Sequence, residues 1–127
     1  MKKTIISTPN APAAIGPYHQ ANAFGNMLFV SGQIALNPAT GELVQTDIAA
    51  ETRQVLDNLK AVVEAAGSSL EKILKCSVFV TDMKQYADIN AVYAEYFPQV
   101  TAPARELVQV AALPRFVNVE ISAIAYL

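Results

Sequence analysis

The stretch DIAAETRQVLDNLKAVVEAAG, Asp47 through Gly67, decides the fold. Ile48, Thr52, Val55, Leu56, Leu59, Val62, Val63 and Ala66 recur at helical spacing, so this segment is a helix with one apolar face that must be buried. Asp47 stands where the helix begins, and Gly67 supplies a left-handed stop. Just beyond, Ser68 and Glu71 have the spacing of a capping box for one short further turn. In Leu74–Thr81 the period changes to two, which places Leu74, Cys76, Val78 and Val80 on one face of a strand. A one-sided helix running into a one-sided strand predicts helix packed on sheet.

The same pattern continues in both directions. On the N-terminal side, Thr4–Ser7 reads as a short strand, and Pro9, Pro12, Gly16 and Pro17 enforce a loop that ends at Tyr18. Ala21–Phe24 and Met27–Ile34 flank Gly25-Asn26 as a hairpin, and Asn37–Gly41 is a second turn. On the C-terminal side, Asp82 opens a second helix with Gln85 at the capping-box position. Its stripe is Tyr86, Ile89, Tyr93, Tyr96 and Phe97, and Pro98 ends it. Arg105–Val110 and Val117–Ala125 are two more strands, joined through Leu113-Pro114. The order predicts a single α+β domain over residues 1–127, two layers thick, with two main helices on one face of a mixed β-sheet.

Composition bears on the other face of that sheet. Of the 127 residues, 53% are hydrophobic and only 16% are charged, against about 25% charged in typical soluble domains. A small domain with so few charges is expected to bury surface against further copies of itself, which predicts a homo-oligomer. No apolar run approaches the ~18–20 residues of a membrane span. The apolar stretch after Met1-Lys2-Lys3 is too short for a signal peptide, so a soluble, cytoplasmic protein is expected. The lone Cys76 excludes an intramolecular disulfide and a Cys-based metal cluster, and the lone His19 excludes a multi-His zinc site. Nine basic residues against eleven acidic ones give a net charge of −2, which argues against nucleic acid as a partner.

Function is sought where the patterning breaks. Arg105 begins a strand that otherwise reads Leu107, Val108 and Val110; it is either a surface arginine at a strand end or a planar fork for a carboxylate or phosphate. Glu120 lies in Val117–Ala123, where alternation puts Asn118, Glu120 and Ser122 opposite an apolar face. That face is either solvated or covered by a neighbouring copy, and in the second case desolvation raises the carboxyl pKa into a range useful for proton transfer. Asn90 falls on the apolar stripe of the second helix, as a structural cap or a ligand contact. Ser31-Gly32 interrupts a strand, as a bulge or as a close approach of ligand to backbone. Tyr18 ends its loop with a phenol that can donate to a substrate or pack on a neighbour. Cys76 reads as a small buried hydrophobe, and His19 has no nucleophile pattern beside it.

Taken together, these pieces resemble a known family. Ala11–Tyr18, Phe29-Val30-Ser31-Gly32-Gln33, Asn58-Leu59-Lys60, Phe79-Val80-Thr81-Asp82, Asn90-Ala91-Val92-Tyr93, Pro103-Ala104-Arg105 and Val119–Ala125 occur in the order found in the reactive intermediate deaminases, the Rid or YjgF-like family. The resemblance spans essentially the whole chain. It implies a chorismate-mutase-like fold assembled as a homotrimer with sites at subunit interfaces. It also implies hydrolysis of 2-imino acids, tautomers of the enamines released by pyridoxal-phosphate enzymes, to 2-keto acids and ammonia, with no metal or organic cofactor. In family terms Arg105 matches the carboxylate-binding arginine and Glu120 the residue that activates water, while Tyr18, Ser31, Gly32 and Asn90 match pocket positions. The family arginine is often followed by Ser-Cys and here by Glu106-Leu107, so only a backbone contact at Leu107 carries over and substrate preference is open. Two other readings stay open: a metabolite-binding module in which Arg105 holds a 2-keto acid without turnover, and, as the resemblance also implies, an endoribonuclease.

Overall fold

A computed structural model describes residues 1–127. Six strands form one sheet in the order β1-β2-β3-β6-β4-β5: β1 (Thr4–Ile6), β2 (Ala21–Phe24), β3 (Met27–Gln33), β4 (Ile73–Val80), β5 (Ala104–Gln109) and β6 (Val119–Tyr126). Only β4 and β5 run parallel; every other neighbouring pair is antiparallel. Helix α1 (Ile48–Ala65) lies across β3 and β6, and α2 (Tyr86–Tyr96) packs beside α1. This is the expected mixed sheet with two helices on one face.

Local chemistry explains where the elements begin and end. The Asp47 carboxylate accepts the Ala50 N–H at 2.7 Å and caps α1, supplying an acceptor that the first helical turn lacks. At the other end Gly67 adopts φ 83°, with Ser68 N donating to Val63 O and Gly67 N to Glu64 O, a Schellman closure. The core runs between the helices and the sheet: Val55, Leu56, Leu59, Val62 and Val63 from α1 meet Val78, Val80, Val119 and Ile121 from the central strands, all fully buried. Each such side chain contributes about 1.5–3 kcal/mol by leaving water.

Some expectations are corrected. Ser68 does not cap the short turn that follows α1, Leu70–Lys72; Ser69 stands there without a side-chain bond, and the Ser68 hydroxyl instead donates to Tyr126 O at 2.6 Å. Leu74 does not share the buried face of β4. The register shifts between Ile73 and Lys75, so Ile73 takes the core position and Leu74 turns outward. Asp82 caps a single 3-10 turn, Met83–Gln85, by accepting from Lys84 N, and α2 proper starts at Tyr86. On α2 the buried positions are Ile89, Val92 and Tyr93, with Phe97 just after its end, while Tyr86 is exposed and Tyr96 half-buried.

The second face of the sheet carries Ile5, Phe24, Phe29, Val108 and Tyr126, each exposed over more than a third of its surface. No helix covers it. The Asn22 side-chain oxygen on this face is buried and has no hydrogen-bond partner.

Candidate active site

The bulge in β3 organises the region around Glu120. Pairing of β3 with β6 is regular from Met27 to Val30 and resumes at Gln33 opposite Ile121, leaving Ser31 and Gly32 outside the ladder. Glu120 projects from the face opposite the core, beside Phe79 of β4. The bulge lets the carboxyl group fold down onto Gly32: a Cβ there would lie 2.8 Å from Glu120 Cδ and 3.0 Å from Oε2. Ser31-Gly32 is therefore both a bulge and a place of close approach, but the group approaching the backbone is the chain's own carboxylate. Glu120 is half-buried, and burial raises its carboxyl above the ordinary carboxylate range.

A cleft of about 450 Å³ opens over this carboxylate, lined by Pro12, Tyr18, Ser31, Gly32, Arg115 and Glu120 among others. Its wall is the proline-rich loop, held in place by Gln20. The Gln20 amide donates to the carbonyls of Thr8, Ala11 and Pro12 and accepts from Thr8 N. The Ser31 hydroxyl donates to His19 O at 2.6 Å, so it faces the cleft as an acceptor only. Tyr18 stands at the mouth, about half exposed, which leaves its phenol free. Gln20 and Arg115 were not singled out by the sequence pattern. A polar residue between a loop and an apolar strand start was the available signal for Gln20.

Arg105 lies elsewhere. It sits opposite Cys76 on the parallel neighbour β4, on the helix-covered side of the sheet, and reaches toward α2. Its Nη1 donates to Asn90 Oδ1 at 2.9 Å and its Nη2 to the Tyr86 hydroxyl at 3.0 Å. The guanidinium also lies 4.7 Å from the centre of the Tyr93 ring, a cation–π contact that fixes its plane. Asn90 is thus neither a cap nor an isolated polar residue but the partner that orients Arg105. Leu107 turns its side chain toward the core, leaving only its backbone along the β5 edge. Tyr86 and Tyr93 hold Arg105 although the sequence pattern assigned them only to a packing stripe.

Cys76, beneath Arg105, is fully buried, and burial pushes its thiol up to about 11. The Tyr93 hydroxyl is also raised by burial and faces this thiol without a well-formed hydrogen bond. Burial thus favours the protonated form of both groups.

One chain thus carries two separate polar clusters. Tyr18, Ser31, Gly32 and Glu120 converge on the outer side of the sheet, while Arg105, Asn90 and Leu107 share the edge strand and α2 on the inner side. The first is centred on a carboxyl group whose pKa burial raises. The second presents a pre-oriented cation with three of its five N–H donors unspent by the bonds to Asn90 and Tyr86. No helix is long and apolar enough to cross a membrane.

Comparison with known proteins agrees with this architecture. The profile of the family described as endoribonuclease L-PSP matches residues 8–127. A curated relative from Escherichia coli K12, named 2-iminobutanoate/2-iminopropanoate deaminase, is 54% identical over 127 residues and covers 98% of each chain. Among solved structures, a conserved Rid-family protein from Yersinia pestis superposes with a TM-score of 0.96 at 48% identity, covering 99% of this chain and 100% of that one. The E. coli protein TdcF, solved with bound serine, superposes with a TM-score of 0.92 at 48% identity over 98% of each chain.

Proposed function

The chain belongs to the endoribonuclease L-PSP family, the YjgF or Rid proteins, and on that premise we propose that it hydrolyses 2-imino acids to 2-keto acids and ammonia. The observation that carries this reading is the placement of two groups on opposite faces of the sheet: a half-buried carboxyl in a cleft, and a guanidinium oriented by Asn90. The relatives named as imine deaminases support the choice of substrate. Assembly as a homotrimer supplies the missing proximity, with Arg105 of one subunit facing Glu120 of the next. The uncovered apolar face and the unpartnered Asn22 oxygen support such an assembly, because both are costly to leave as they are.

In this site Arg105 grips the substrate carboxylate by two parallel charge-assisted hydrogen bonds. Glu120 takes a proton from a water molecule as its oxygen attacks the imine carbon, giving a carbinolamine. The same carboxyl group returns the proton to the amine nitrogen; the C–N bond then breaks and ammonia departs as the hydroxyl gives its proton to the Glu120 carboxylate and the carbonyl forms. Tyr18 and Ser31 bound the space in which the imine nitrogen and the water sit. The protonated imine is already an electrophile, so positioning supplies most of what is needed, and this chemistry calls on no cofactor.

The test generates 2-imino acids with an amino acid oxidase and traps the remainder with semicarbazide, with and without the protein. Wild-type protein should lower the semicarbazone yield, and Arg105→Ala should not. If neither protein changes the signal across several amino acids, hydrolysis is refuted for those substrates. A relative that holds serine gives weight to a second reading, a module that binds small amino or keto acids without turnover. Glu120→Gln separates the two, since it abolishes hydrolysis but leaves simple binding intact. RNA is a poor partner for a chain of net charge −2.

A further inference from the structure

A second carboxylate lies behind the site. Glu51, in the first turn of α1, is 1% exposed, and no lysine, arginine or histidine nitrogen lies within 4 Å of it. Three N–H groups satisfy it instead. Its Oε2 accepts from Asn118 N at 2.7 Å and Val119 N at 3.1 Å, and its Oε1 accepts from Asn118 Nδ2 at 2.8 Å. Asn118 is tied from the other side too, its carbonyl accepting from Thr81 N at 3.1 Å and its Oδ1 from the Thr81 hydroxyl at 3.4 Å. Every polar group of Asn118 is therefore committed.

Asn118 stands between the two parts of the cleft that come from this end of the chain. Two residues after it is Glu120. Two and three residues before it are Phe116 and Arg115, each at φ 55°, and Arg115 lines the cleft. Two consecutive non-glycine residues in the left-handed region are strained, and such strain persists only where the surroundings over-determine it. Packing of Phe116 does not do so, since its side chain is 85% exposed. On the C-terminal side the turn is held by the buried Val117 and then by the Glu51 clamp at Asn118, while Phe116 N and Val117 N bond back to Leu113 O and Pro114 O at 2.9 and 3.3 Å.

We propose that Glu51 is a positioning residue of the imine-hydrolysis site: acting through Asn118, it sets where the strand bearing Glu120 starts and holds the turn that puts Arg115 against the cleft. This rests on the functional reading above. What the arrangement requires is reach rather than charge. A glutamine at position 51 has the same length; its oxygen can take both backbone N–H groups while its amide donates to a turned Asn118 side chain. An aspartate keeps the charge but is one methylene too short.

The test compares Glu51→Gln and Glu51→Asp with wild type in the semicarbazide assay, with folding checked by circular dichroism and thermal melting. Glu51→Gln should keep kcat within about threefold of wild type, and Glu51→Asp should lower kcat about tenfold while KM moves less than threefold. Wild-type kcat in Glu51→Asp, or an equal loss in both variants, overturns the proposal. If Glu51→Asp fails to fold, Asn118→Ala replaces it: kcat must fall while KM moves less than threefold, and wild-type kcat in Asn118→Ala overturns the proposal. A readout independent of turnover is the carboxyl titration of Glu120 followed by NMR. Its midpoint should move toward the ordinary carboxylate range in Glu51→Asp and stay near wild type in Glu51→Gln; no movement in Glu51→Asp overturns the proposal even if wild type hydrolyses nothing.

Discussion

Glu120 shows how one residue's surroundings set its chemistry. Its carboxyl group rests on a glycine that has no side chain to displace it, and burial favours the protonated form. The folded state therefore holds this proton more tightly than the unfolded chain does. Its contribution to stability is complete below the ordinary carboxylate value and is lost as pH rises through the raised one. Glu120→Gln, which stays neutral, should gain stability relative to wild type as pH climbs from acid to neutral, read as a growing difference in urea midpoints. Equal differences at both ends would show that the carboxyl is not desolvated in the folded protein. Arg105 and Glu120 were legible because each breaks an apolar rhythm. Glu51 was not, since a glutamate in a helix reads as solvated surface. Yet it falls three residues after Ile48 and four before Val55, on the buried stripe, and Asn58 recurs seven residues later on the same stripe.

The element scale is where the sequence was most readable and where its errors have plain causes. Strong periodicity located α1 and its stops. Replacing its cap, Asp47→Ala, should lower unfolding free energy by about 1 kcal/mol, measured by urea denaturation, with the oligomeric state unchanged. The misplaced pieces are those that a distant hydrogen bond or a register shift decided. Ser68 has the spacing for a local cap but bonds Tyr126, fifty-eight residues away. Leu74 has the right parity for the core but stands at a register shift that parity cannot show. The Ser31-Gly32 bulge was legible as an interruption. Its occupant was not, because Glu120 reaches it only after β3 and β6 have paired.

For the whole molecule, the low charge content and the one-sided helices both predicted a sheet with an unclothed face, and the exposed Phe29, Val108 and Tyr126 lie on it. Sedimentation equilibrium should give a mass three times the 13.6 kDa of one chain. Phe29→Asp, which puts a charge where a neighbour's apolar face is expected, should yield monomers that melt cooperatively yet hydrolyse no imine. A monomeric wild type with full activity would refute the two-subunit site. The strand order has a separate consequence for how the protein is made. β6, the last strand along the chain, lies in the middle of the sheet between β3 and β4, and without it the two outer groups of strands share no ladder. During translation the nascent chain can form α1 and the β2-β3 hairpin early, but the sheet cannot close until Val119–Tyr126 has left the ribosome. Until then apolar strand faces are open to chaperones, and a chain stopped before β6 has two strand groups with no ladder between them rather than a smaller complete sheet.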